Sequence, residues 1–81
     1  MQTRLAACVN IVPGLTSVYR WNDEVQVGCE AQCLIKTHRS LFERVAAHIA
    51  AEHPYETPEI LAIPAIEGST DYLAWLSAEL V

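Results

Sequence analysis

The chain has 81 residues, 52% of them hydrophobic and 19% charged, which excludes an intrinsically disordered protein and predicts one small domain over residues 1–81. Ten acidic and five scattered basic residues give a formal net charge of −5, so we expect neither nucleic acid nor a membrane surface as a partner. Three cysteines argue against a disulfide framework. Without a recognisable signal peptide, they predict a location in the reducing cytoplasm.

The first part of the chain predicts a short helical remnant followed by a bent strand. The residues before Cys8 are good or acceptable helix formers and resemble the last turns of a helix whose beginning is absent. β-branched residues then predict one long strand from about Cys8 to Trp21, with a bend or bulge at Pro13-Gly14. Asn22-Asp23 has the chemistry of a tight turn.

The next segment alternates between apolar and polar residues from Val25 to about Lys36. A period of two over this length predicts a half-buried β-strand. Because only a short turn separates it from the preceding strand, the two strands are predicted to form a long antiparallel hairpin.

A helical pattern follows the hairpin. It is predicted to begin at a Thr37 or Ser40 N-cap and to end near Glu52 or His53, because Pro54 cannot continue it. The apolar residues that recur at every fourth position are Leu41, Val45 and Ile49.

The last third predicts a loop over residues 53–59, a short strand at Ile60–Ile63, and a helix over about Asp71–Leu80 capped by Ser69 or Thr70. The order helix end–β–β–α–β–α indicates an α+β domain. Adding one strand and one helix in front would give the ferredoxin-like plan.

Four segments together resemble one known family. They are LAACVNIVPGLTSVYRW from Leu5, LIKT from Leu34, HPYETPEI from His53 and YLAWL from Tyr72. In this order and spacing they are similar to the CutA divalent-cation tolerance family, over about Leu5 to Leu76. The resemblance implies a ferredoxin-like subunit, with helices on one face of an antiparallel sheet, in a homotrimer linked to divalent cations, above all copper.

The chain departs from the family pattern at its beginning. Members of the family usually start with a strand and a helix, and this sequence lacks that strand and most of that helix. A misplaced gene start is the explanation we favour; the alternatives are that the chain is a fragment or that something else fills the gap. Since the first strand is central in a ferredoxin-like sheet, we expect Ile60–Ile63 to lose its main partner.

Metal ligands are predicted mainly in the loop after the first full helix. His53 matches a histidine of the family motif, and its imidazole suits copper or another divalent cation, with Glu56 and Glu59 as nearby oxygen ligands. Alternatively, His53 only caps the helix C-terminus. Cys8 is a candidate soft Cu(I) ligand, although burial in the core is the favoured interpretation.

The remaining two cysteines are interpreted as structural, and the aromatic residues as lining either a cleft or the core. Cys29 and Cys33 share a strand face about 13 Å apart at ~3.3 Å per residue, too far to hold one ion, and are expected to be buried. Aromatic residues that could line a cleft between subunits, or simply pack in the core, are Tyr55, Trp21, Tyr19 and Trp75.

No enzyme signature was found, neither a P-loop nor a G-x-S-x-G nor a G-x-G-x-x-G motif. The resemblance of the four segments, together with His53 in its loop, implies the leading hypothesis, a non-enzymatic homotrimer that binds copper or another divalent cation. The alternative is a PII-like trimeric signalling or scaffolding protein that binds a small effector or a partner protein, by analogy of fold. A third hypothesis is a shortened chain without independent function.

Overall fold

A long β-hairpin followed by two helices forms the α+β domain. A computed structural model describes residues 1–53 and 58–81. Strand β1 spans Cys8–Trp21 and strand β2 spans Glu24–Lys36. A single turn of 3-10 helix at Arg39–Leu41 leads into helix α1, Phe42–Glu52, and helix α2 spans Thr70–Glu79. The elements are confirmed in the predicted order, except for the first helical turns and the third strand.

The hairpin has the predicted bend and turn. β1 and β2 pair antiparallel, with a shift of register between Val12 and Leu15. Gly14 lies in this shift with φ +71°, a conformation that glycine adopts without steric cost. Asn22 and Asp23 both have positive φ, 52° and 63°, as a two-residue turn that matches the twist of the strands requires.

Both helices are confirmed, but the start of α1 differs from the prediction. The 3-10 turn precedes α1, whose N-cap is Leu41 without a side-chain capping bond, so neither Thr37 nor Ser40 caps it. The Thr37 hydroxyl instead donates to the Leu5 carbonyl at 2.6 Å. A long-range bond has replaced the local one, because Thr37 lies where the N-terminal segment crosses the hairpin's end.

Two predicted elements are absent from the described residues. Residues 1–7 form turns rather than a helix, with Arg4 at φ +60° and its N–H donating to the Met1 carbonyl at 3.0 Å. A segment this short gains too few helical hydrogen bonds to offset nucleation. Ile60–Ile63 is not a strand, and the sheet of the described chain contains β1 and β2 only. Without an adjacent strand, the backbone of Ile60–Ile63 has no ladder to join.

The core is small and lies away from the hairpin tip. Its buried residues come from the N-terminal segment, the start of α1 and the end of α2; they are Leu5, Ala7, Leu41, Val45, Leu76 and Leu80. No described side chain falls below 2% exposure. Cys29 and Cys33 are exposed, contrary to the prediction, because no layer covers that part of the hairpin within one chain. Neither helix in the described ranges is long and apolar enough to cross a membrane.

Candidate functional site

A groove of about 970 Å³ lies between the hairpin and the segment that follows α1. We call it the hairpin groove. One side is formed by Glu30–Ile35 of β2, together with residues of β1. The other side is formed by Glu59, Ile60, Leu61 and Ile63, and the C-terminal end of α1 contributes Ile49 and His53. Its volume is within the range of ordinary ligand pockets.

The hairpin groove brings together four of the predicted site residues. Tyr19 and Trp21 reach it from β1, His53 from the end of α1, and Glu59 from the irregular segment. Tyr19 is 45% exposed and Trp21 is 52% exposed, so both rings present apolar surface to an occupant. The structure thus gathers aromatic, imidazole and carboxylate groups that are far apart in the sequence.

His53 has the capping role that its position allows. It is the C-cap of α1, and its backbone N–H donates to the Ile49 carbonyl at 2.8 Å. This bond fixes the backbone where the chain leaves the helix. Because it uses only the backbone N–H, it does not decide between a capping and a metal-binding role for the imidazole. The half-buried His53 side chain lines the hairpin groove, so the two interpretations are compatible.

Other predicted site residues lie elsewhere. Cys8 is half-buried at the base of the hairpin, opposite Lys36, and does not line the groove. Trp75 lies on α2, with its ring centroid 5.7 Å from that of Tyr72. Tyr55 and Glu56 lie outside the described residues, so their predicted roles stay predictions.

Sequence reasoning missed the groove residues of β2, Glu30 to Ile35. Consecutive strand residues point to opposite faces of a sheet, yet all of them line the groove. The groove therefore follows the edge of β2 rather than one of its faces. The expected loss of a strand partner for Ile60–Ile63 was the sequence signal for this groove.

The described residues do not supply a complete metal site. Across residues 1–53 and 58–81, no three His, Cys, Asp or Glu side chains are grouped so that they could hold one ion. His53 and Glu59 are chemically suitable donors for copper or zinc, but such sites in proteins usually have three or four protein ligands. The described part of one chain therefore fits a metal only in part.

The model of the CutA1 divalent ion tolerance protein family matches residues 1–79. The chain belongs to the CutA1 family. The resemblance inferred from the four segments is thereby confirmed, and the match extends beyond both ends of the span from Leu5 to Leu76.

Individual members of the CutA1 family support the assignment. The divalent-cation tolerance protein CutA of Thermus thermophilus is 51% identical over 76 residues, which cover 94% of this chain and 74% of that protein. The chloroplastic protein CutA of Arabidopsis thaliana is 50% identical over 94% of this chain and 42% of its own length. The chain thus spans less than half of this plant relative and about three quarters of the bacterial one.

Solved CutA1 structures have the same fold. The Thermus thermophilus structure gives a TM-score of 0.96 at 49% identity, covering 99% of this chain and 78% of that one. The structure from Oryza sativa gives 0.95 at 44% identity, covering 99% and 73%. The hairpin and both helices are therefore arranged as in the CutA1 family.

Proposed function

We propose that the protein is a non-enzymatic, homotrimeric protein of divalent-cation tolerance that binds copper or a similar divalent ion. Its relatives from Thermus thermophilus and Pectobacterium atrosepticum are named divalent-cation tolerance proteins. The structural observation that carries the proposal is that His53 and Glu59 line the same groove. Imidazole and carboxylate together suit borderline divalent ions such as Cu²⁺ and Zn²⁺.

Further ligands would complete this site. Glu56 is three residues from both His53 and Glu59 in the sequence and is our candidate for a third ligand. The aromatic side chains of Tyr19 and Trp21 would limit solvent access to the ion. Cys8 is proposed as a separate, softer site, because it lies at the base of the hairpin rather than in the groove.

The homotrimer is supported by the apolar surface of the hairpin. Val18 and Val27 face each other across the strands and are 67% and 70% exposed, and Ile11 is 66% exposed. Exposed apolar surface of this kind is typical of a site that packs against another protein. Packing hairpins of several copies together would bury this surface and would bring a neighbour's ligands or aromatic rings close to the groove.

Copper titration tests the metal site. We expect isothermal titration of Cu²⁺ to show saturable binding that His53→Ala weakens by tenfold or more, the scale of losing one ligand interaction of ~1.4 kcal/mol. His48→Ala is the matched control, because His48 is exposed on α1 and does not line the hairpin groove. Equal affinities of the wild type and the His53 variant would disprove the assigned site.

A PII-like role remains the second proposal, supported by the size of the hairpin groove. A volume of about 970 Å³ is large for one ion and suits a small organic effector. The two roles predict different accessibility of the Trp21 ring to a fluorescence quencher in solution. An effector would shield the ring when metal is absent, whereas a metal-only site would leave it accessible.

We also propose a cytoplasmic location, supported by three cysteines that form no disulfide. The relative from Archaeoglobus fulgidus is named a periplasmic protein, so secretion is the competing outcome. Fractionation of cells that produce the full-length protein separates the two.

A further inference from the structure

Four of the five lysine and arginine residues lie at the base of the hairpin. The Ala7 N–H donates to the Lys36 carbonyl at 2.9 Å, which holds the short segment that carries Arg4 beside the end of β2. Arg4 also bonds the end of α2, and the His38 ring lies 2.9 Å from the Ser77 hydroxyl of that helix. The 3-10 turn and the first turn of α1 follow directly. We call this region the basic end, and its lysine and arginine residues are Arg4, Lys36, Arg39 and Arg44.

Two of the four cations already have partners, and two do not. Arg4 donates to the last carbonyls of α2, and the Lys36 ammonium donates to the Asn10 side-chain oxygen. Arg39 and Arg44 are exposed and have no side-chain hydrogen bond or ion pair in the part of the chain that the structure describes. A guanidinium presents its N–H donors in a planar fork that fits a carboxylate. The basic end therefore has two unpaired guanidinium groups available to an anion.

The basic end is locally positive in an acidic chain. Its four cations and the carboxylates of Glu43 and Glu79 give a formal charge of +2, whereas the remaining residues carry one cation and eight carboxylates, −7. Acidic residues lie at the other ends of the elements that meet here: Asp23 at the hairpin tip, Glu52 at the end of α1 and Asp71 at the start of α2. β2 alone is about 40 Å long at ~3.3 Å per residue, several times the ~8 Å over which physiological salt screens a charge.

This distribution of charge favours a short anionic partner. A nucleic acid or an anionic membrane surface extends past the basic end and meets the negative remainder of the chain, which repels it. A short peptide can contact the basic end alone. Arg39 and Arg44 are five residues apart, roughly 8–10 Å along the helix axis at about 1.5–2.0 Å per residue. Carboxylates two or three residues apart in an extended peptide are separated by roughly 7–10 Å.

We propose that the basic end binds a short acidic segment of a partner protein, whose carboxylates pair with the guanidinium groups of Arg39 and Arg44. The site is formed by the base of the hairpin and the start of α1, and neither arginine lines the hairpin groove. The proposal therefore does not depend on metal binding or on an occupant of that groove.

The test titrates the whole chain into a fluorescently labelled, capped peptide in which glutamate and serine alternate, with anisotropy as the measurement. We expect saturable binding that weakens as salt is added. Arg39→Gln and Arg44→Gln should each weaken it by about two- to fivefold, the scale of one exposed ion pair. Arg44→Lys should lose less, because it keeps the charge. Arg20→Gln is the matched control, since it removes the same charge from an exposed position near the hairpin tip and should leave the affinity unchanged.

Four outcomes would overturn the proposal. The first is no binding of the glutamate peptide at low salt, and the second is equal binding of a peptide with glutamine in place of glutamate. The third is an equal loss in the Arg20 and Arg44 variants, which would show a response to net charge alone. The fourth is that a single-stranded oligonucleotide, or a second copy of the chain, occupies the site instead. Tighter, Arg44-dependent binding of the oligonucleotide would show the former, and a mass that rises with concentration in the wild type but not in Arg44→Gln would show the latter.

Discussion

Arg4 connects the two ends of the chain. Its guanidinium donates from Nε to the Glu79 carbonyl at 3.0 Å and from Nη2 to the Ala78 carbonyl at 2.8 Å. These carbonyls end α2, where the helix dipole is negative and its last acceptors lack helical partners. The Val81 N–H donates in turn to the Arg4 carbonyl at 3.1 Å. One cation therefore caps the last helix from the opposite end of the sequence.

We expect Arg4→Ala to lower the free energy of unfolding by about 1 kcal/mol, the net value of one typical hydrogen bond. Two bonds are lost, but both are exposed, so water replaces part of what they contribute. Arg4→Lys should lose less, since it keeps the charge near the helix end. Arg20→Ala on the exposed hairpin is the control and should be nearly neutral. Urea denaturation measures all three, and equal stability of the Arg4 and Arg20 variants would show that the cap is not stabilising.

The hairpin is the element that shapes the groove. Its strands continue past a shift of register at Val12/Leu15, where Gly14 takes a positive φ. A bulge bends a strand and increases its twist. Gly28, on the opposite strand, has an ordinary strand backbone, and an added Cβ there would lie 3.7 Å from the Tyr19 ring. The backbone conformation therefore favours glycine at Gly14, whereas the described surroundings of Gly28 leave room for a Cβ.

Alanine at these glycines should have opposite effects. Gly14→Ala is expected to destabilise by about 1–2 kcal/mol, because a Cβ is unfavourable at φ +71° even though the space around it is open. Gly28→Ala should be neutral or stabilise by up to about 1 kcal/mol, because it removes the entropic cost of glycine in a strand. Thermal unfolding of both variants measures the difference, and the same sign for both would contradict the assigned bend.

The whole molecule has too small a core for its apolar content. Six of the residues that the structure describes are buried, while Val18, Val25 and Val27 on the hairpin are each at least 64% exposed. A domain of this size buries only about 60% of the surface of its unfolded chain and is marginally stable alone. Burial between copies is the physical reason to expect the proposed homotrimer.

Solution mass tests the assembly. Light scattering after size exclusion should give about three times the 9.0 kDa of one chain. Val27→Lys should reduce this mass, because a charge opposite Val18 would be buried between hairpins. Ile66→Lys is the control, since Ile66 is 92% exposed on the irregular segment. A wild-type monomer, or equal masses for both variants, would argue against assembly through the hairpin.

Local pattern was sufficient for the elements that satisfy their own hydrogen bonds. Alternation in β2 predicted its span. Pro54 predicted that α1 ends near Glu52 or His53, and it ends at Glu52. The same reasoning proved wrong for Ile60–Ile63 as a strand, since strands depend on a neighbour that local sequence does not describe. It was also wrong for burial of Cys29 and Cys33, because burial depends on what covers a face.

The sequence by itself determined the hairpin and both helices, because strand period, turn chemistry and helical repeat are local properties. Its four family segments, in their order and spacing, also indicated the CutA1 family, which the family model confirmed. Only the tertiary structure decided that Tyr19, Trp21, His53 and Glu59 share one groove while Cys8 and Trp75 do not. It also decided that the groove follows the edge of β2. These relations join residues far apart in the chain, and packing of the hairpin against α1 and the following segment sets them.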